Sequence, residues 1–157
     1  MSELKRTILY QAHLDAGATM VDFGGWDMPI QYPEGIIAEH LYCRRHCGIF
    51  DVSHMGRIDV EGPDQVAFLQ HVLSSNVLAL DLNQAQYCII PDKNGYAIDD
   101  AYLYRFEEGK YFLVINAGNI DKDWAHLMNE AKNFDVKLTN VSDKYAAIAV
   151  QGPESKK

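Results

Sequence analysis

Between Tyr87 and Phe106 two β-rich runs flank a turn, and two acids stand inside the second run. The first run ends on Ile89-Ile90, and Pro91 to Gly95 is dense in turn formers. Asn94-Gly95 is a strong short-range hairpin signal, because both residues tolerate positive φ. The second run, from Tyr96, carries Asp99 and Asp100. Carboxylates are depleted in strands and costly to bury unless paired, hydrogen-bonded or protonated. Successive strand residues face opposite ways, so Asp99 shares a face with Ala97, Ala101 and Leu103, and Asp100 with Tyr102 and Tyr104. A hairpin cap with a solvated neighbour accounts for the pair, and so does a carboxylate set against a cationic or proton-exchanging ligand. The stretch alone leaves both readings open.

The chain has 157 residues, 48% of them hydrophobic, enough for one good core or two small ones. A formal charge of −8 argues against nucleic acid as a partner, since phosphate binding needs a basic surface. No apolar run is long enough to span a bilayer, and the N-terminus lacks the apolar stretch of a signal peptide. The sequence therefore reads as a soluble, cytoplasmic protein without membrane contact. Three cysteines are no secreted disulfide framework. His40, Cys43 and Cys47 could share a helix face, but a zinc site needs a fourth ligand or an open position with water. His54 and Cys88 are isolated. No metal is expected, and the cysteines read as small helix-face hydrophobes.

Leu4 to Asp15 reads as a short helix or extended arm, and Met20 to Tyr32 as a strand, a bend at Gly24-Gly25 and a second extended piece. Pro33 to Cys47 has helical spacing, with Gly48 as the residue that ends it. Ile49 to Met55 is strand-like, and Arg57 to Glu61 alternates as a half-exposed strand. A helix follows Gly62-Pro63-Asp64, with Val66, Phe68, Leu69, Val72 and Leu73 on its apolar face. After the central hairpin, Lys110 to Asn116 predicts a buried strand, and Asn119 to Asn133 a helix with Trp124, Leu127, Met128 and Ala131 on one side. Asp135 to Val141 and Tyr145 to Val150 predict two more strands. This order gives an α+β fold, with helices packed on mainly antiparallel sheets.

Several segments then stand together in order: Met20 to Pro29, Glu39-His40 with Arg44, Gly48 to Met55, Ile98-Asp99-Asp100, Asn116 in Leu-Val-Ile-Asn-Ala, and Val150 to Pro153. The ordered set resembles the aminomethyltransferase family, the T-protein of the glycine cleavage system. The resemblance covers nearly the whole chain but less than half of a family member. It implies a split multidomain folate-binding fold and a transferase of glycine catabolism and one-carbon metabolism. In that reaction an aminomethyl group on the lipoyl arm of H-protein reacts with tetrahydrofolate, the co-substrate, giving methylenetetrahydrofolate and ammonia. It also implies that Asp99 lies beside the folate ring as the catalytic acid. Met55 and Tyr87 are expected to pack on the ring and Asn116 to hydrogen-bond it, while His54 is read as structural. Each has a plainer reading, as core filler, strand aromatic and strand-end turn residue. A non-catalytic folate-binding or H-protein-docking fragment is the alternative, and folate-dependent demethylases and folate-binding proteins of iron–sulfur maintenance are more distant ones.

The expected domains are 1–50 as the first segment of a split domain, 51–142 as an α+β folate-slot domain, and 143–157 as a return strand into the split domain. The apolar strand Tyr145 to Val150 is expected to find its neighbours in sequence beyond Lys157. Left uncovered, that sheet edge would favour self-association.

Overall fold

The computed structural model describes residues 3–157. In chain order the elements are α1 (Tyr10–Asp15), β1 (Thr19–Phe23), β2 (Trp26–Gln31), α2 (Ile36–Arg45), β3 (Gly48–Asp51), β4 (Gly56–Glu61) and α3 (Gln65–Val72). There follow β5 (Gln84–Pro91), β6 (Ala97–Glu107), β7 (Lys110–Ile115), α4 (Ile120–Glu130), β8 (Lys137–Asn140) and β9 (Ile148–Gln151). The strands form sheets of two, two and five members, and every pairing between them is antiparallel. The chain divides into two units, Met1–His54 with Asp143–Lys157, and Met55–Ser142.

The second unit is built on the five-stranded sheet, in the order β5-β6-β7-β4-β8. Its period-two pattern sends Ile58 and Val60, Ala101 and Leu103, and Tyr111, Leu113 and Ile115 inward, where Phe68, Leu69 and Val72 of α3 and Leu127 of α4 meet them. Phe68, Leu69, Val60 and Leu113 are wholly excluded from solvent. The segment between α3 and β5 is more than a connector, because Val77 and Leu80 are also buried in this core. Two expectations fail in detail. Arg57 is 3% exposed rather than half-solvated, because β4 lies inside the sheet between β7 and β8. Its backbone N–H donates to Ser142 Oγ at 2.9 Å and its guanidinium to the Ser142 carbonyl. Met128, expected on the apolar side of α4, is 42% exposed.

The hairpin between β5 and β6 forms, but its turn is held differently from the expected one. Only Gly95 of the Asn94-Gly95 pair takes positive φ, at 85°. Asp92 Oδ1 accepts from the N–H groups of Asn94 and Tyr96 at 2.8 and 2.9 Å, so an aspartate side chain organises the turn.

In the first unit, β1 and β2 form a hairpin across Gly24-Gly25, and β3 pairs with β9. That pairing corrects one expectation: the last strand finds a partner within the chain, Ile49 lying opposite Val150 and Asp51 opposite Ile148. Gly48 does not end α2 but opens β3, and His46 is the helix's last capping residue. Cys47 therefore lies beyond α2, so the expected shared helix face of His40, Cys43 and Cys47 does not form. Polar groups hold this unit together. Asp51 Oδ2 accepts from Thr7 Oγ1 at 2.6 Å and contacts His13 Nε2 at 3.0 Å, while His13 Nδ1 lies 2.8 Å from the Tyr32 hydroxyl. His54 is buried against the edges of Phe23 and Trp26. No helix among the described residues is long and apolar enough to cross a membrane.

Candidate functional site

Strand β6 outruns its neighbour β7. Their pairing ends with Ala101 opposite Ile115, so Ile98, Asp99 and Asp100 continue past the end of β7. On the other side β5 still pairs with them, Ile89 opposite Asp100 and Ile90 opposite Asp99. Asn116, the first residue after β7, fills the gap with its side chain. Its Nδ2 donates to Asp99 Oδ1 at 3.0 Å, to Asp100 Oδ1 at 2.7 Å and to the Asp100 carbonyl at 3.2 Å. The last is a bond to main chain at a point β7 no longer reaches.

Beside this end of the sheet, Gly56 opens β4 opposite Ile115. A Cβ there would stand 2.5 Å from Ile115 Cγ1 and 2.9 Å from Ile120 Cγ1, so β4, β7 and the start of α4 close up only around a glycine. Met55, the residue before it, is half-buried.

α4 brings a further acid to Asp99. Asp123 lies on the inward stripe with Ile120 and Leu127, at spacings of three and four, and is 0% exposed. Both its carboxyl oxygens, and Asp99 Oδ2, are buried without an N–H or hydroxyl donor at hydrogen-bond distance. The two carboxyls interact, and a hydrogen bond between them needs a proton on one of them. Burial first, then the bond to Asp99 and its charge, push Asp123 up to about 8. Burial acts upward on Asp99 too, but the bonds from Asp123 and Asn116 hold its carboxyl below the usual range. At neutral pH Asp99 is the carboxylate and Asp123 the acid.

Asp100 is turned the other way, as strand alternation requires. Tyr87 of β5 bonds to it, and that bond to a carboxylate pushes the Tyr87 phenol upward. Tyr87 is 52% exposed and meets Tyr102 edge-on at 5.8 Å between ring centroids.

Of the residues singled out in the sequence, the structure thus joins Asp99 and Asn116 directly and sets Met55 at the same end of the sheet. Tyr87 attaches through Asp100, on the opposite face of β6 from Asp99. The amide donors of Asn116 are spent on the two acids, which leaves its Oδ1 as the atom to meet a ligand. Sequence reasoning missed Asp123. The signal was there, a carboxylate at helical spacing inside the apolar stripe of α4.

Other candidates stand apart from this site. Cys88 is buried in β5, and burial raises its thiol to about 11, which makes it an inert core group. Among the described residues no three His, Cys, Asp or Glu are grouped to hold a metal ion. A groove of about 760 Å³ in the first unit is lined by residues between Ile30 and Phe50, His40, Cys43 and Cys47 among them.

Residues 9–157 match the model of the GCVT N-terminal domain. The aminomethyltransferase of Deinococcus deserti is 53% identical over 97% of this chain and 42% of its own length. That of Thermus thermophilus is 47% identical over 97% of this chain and 43% of its own. The crystal structure of glycine cleavage system aminomethyltransferase T from Bartonella henselae superposes with a TM-score of 0.91 at 39% identity, covering 97% of this chain and 42% of that one. The chain therefore spans about two-fifths of the length of the relatives it matches.

Proposed function

The chain belongs to the family of the GCVT N-terminal domain, and from that premise we propose that it carries the acid of a folate-dependent aminomethyl transfer. In this reading the methylene of an aminomethyl group, held on the lipoyl arm of H-protein, passes to tetrahydrofolate and ammonia leaves. The protein acts in the cytoplasm. Residues 51–142 serve as the folate-side domain, and 1–50 with 143–157 as one split domain.

The observation that carries the reading is the acceptor-only end of β6. Asp99 is held as a carboxylate, and the Asn116 amide spends its N–H groups on Asp99 and Asp100. A ligand docking there must bring its own donors, or a developing positive charge. A reduced pterin ring brings N–H groups and a flat apolar face, and the Met55 side chain and the half-exposed Tyr87 ring offer apolar contact. The residues present fit that substrate.

The chemistry asks for the same group. Cleaving a carbon–sulfur bond beside an amine builds an iminium-like cation, which a fixed carboxylate stabilises. The Asp99 carboxylate is also placed to exchange the proton that a folate amine must lose when the new carbon–nitrogen bond forms. In the complete protein, Asp99→Asn is expected to lower transfer about a hundredfold or more with the fold retained, and Asp100→Asn to cost less. Methylenetetrahydrofolate formation from aminomethylated H-protein measures both. Equal losses, or the greater loss at Asp100, would overturn the assignment.

A further inference from the structure

We propose that Asp123 is a positioning residue for Asp99: it holds a proton on the buried side of Asp99 and so fixes that carboxyl as the ionised, oriented partner of the substrate. The inference rests on the functional reading above and extends it to a residue in a different element.

Three observations carry it. Asp123 has no solvent exposure, so an ionised carboxylate there would have neither water nor a counter-charge in contact. Both Asp123 oxygens and Asp99 Oδ2 are buried with no N–H or hydroxyl donor against them, while Asn116 and Asn119 hold Asp99 from its other side. Asp99 Oδ1 is meanwhile taken by Asn116 at 3.0 Å, so the carboxyl is gripped from two directions and cannot rotate without losing both bonds. Two carboxyls in contact cannot both ionise cheaply, and one proton between them satisfies both.

The charged surroundings decide which group keeps it. Asp99 and Asp100 of β6 face Asp123 with negative charge, and Lys122 on its own helix opposes them. Lys122 Nζ is committed to the Ile98 carbonyl at 2.8 Å. Asp99 is stabilised as the anion by the Asn116 amide, which Asp123 lacks. The proton accordingly rests on Asp123. Its loss, centred at about 8, would put a second negative charge against Asp99.

A conservative substitution separates this role from simple packing. Asn at position 123 keeps an N–H donor for Asp99 but cannot ionise, whereas Leu fills similar volume without a donor. In the complete protein, Asp123→Asn is expected to lower transfer by about threefold or less at pH 7 and to abolish the decline above pH 8. Asp123→Leu is expected to lower it about tenfold or more and to move the acid limb of the rate profile upward, because Asp99 loses a bond to its charged form. Matching losses in the two variants, with an unmoved pH profile, would overturn the proposal. Carbon-13 titration of the carboxyls in the unaltered protein gives an answer independent of catalysis and of variant folding. Asp123 should remain protonated at pH 6 while Asp99 is ionised, and an ionised Asp123 at that pH would refute the pairing. If Asp99→Asn left transfer intact while this titration held, the functional reading would fail and the shared proton would stand.

Discussion

Residues 55–142 and the remainder of the chain solve the problem of staying folded in different ways. The first set buries Phe68, Leu69, Ile58, Leu103, Leu113 and Leu127 in one apolar core. In the second set, Met28 is the only buried large hydrophobic among the described residues, and the other buried side chains there are polar: Thr7, His13, Ser53 and His54. Ile37, Ile49, Phe50, Tyr145, Ile148 and Val150 meanwhile stay exposed. One region is held by volume and the other by directed bonds. Loss of a methylene should therefore be felt most in the first, and loss of a donor or acceptor in the second.

The largest effect should come from Phe68→Ala, which empties a fully buried ring site and is expected to cost about 3–5 kcal/mol in denaturant unfolding. A cost below about 1 kcal/mol would break the contrast at its stronger end.

The next test uses pH, because the two regions carry acids shifted in opposite directions. Asp123 is raised from 3.8 to about 8, so the stability it confers is complete below pH 4 and is lost as pH rises towards 8. That slope, worth roughly a few kcal/mol over the window, should vanish in Asp123→Asn. Asp51 is shifted the other way: burial raises it, but the bonds from Ser53, Thr7 and His13 more than offset this and hold it below its usual range. Its contribution is present above pH 4 and is lost on acidification. Asp99 shares that acid-side loss, so the clean discriminator is the limb between pH 4 and 8. Thermal unfolding of the wild type and the Asp123→Asn variant between pH 4 and 8 reads it directly.

A smaller effect is expected from Thr7→Val, which preserves shape and removes the 2.6 Å bond to Asp51, at about 1–2 kcal/mol. The smallest is Ile49→Ser. Ile49 is 73% exposed, so stability should change by about 0.5 kcal/mol or less. Sedimentation should show less self-association if the face shared by Ile49 and Val150 is the sticky one, and an unchanged mass would remove that idea.

The first region was also the more legible one in sequence. Strict alternation in β6 and β7 and the 3–4 spacing in α3 group the side chains by face, and they set Asp99 with Ala101 and Leu103, on what the structure shows to be the core side of β6. What alternation does not encode is how far a strand outruns its neighbour, so the commitment of the Asn116 amide was invisible. Asp123 escaped for a related reason: a helix reading collects apolar positions and passes over the charged one among them. In the second region, bonds such as His13 to Asp51 join residues far apart in the chain, and no local period announces them. The β3–β9 pairing likewise went unseen because the last strand's partner lies about a hundred residues earlier, and Gly48 was read as a stop when it begins that partner.

The overhang of β6 has a consequence for motion. Main-chain pairing holds Asp99 and Asp100 on one side only, through β5, itself an edge strand of the sheet. A backbone with one neighbour opens more readily than one with two, so amide hydrogens at 98–100 should exchange with solvent faster than those at 101–103 in the same strand. The side-chain bonds from Asn116 are then what keep the local opening rare. Rigidity at the acid is in this sense supplied by one amide group, and the protection of these three residues against exchange is a direct gauge of how firmly that group is seated.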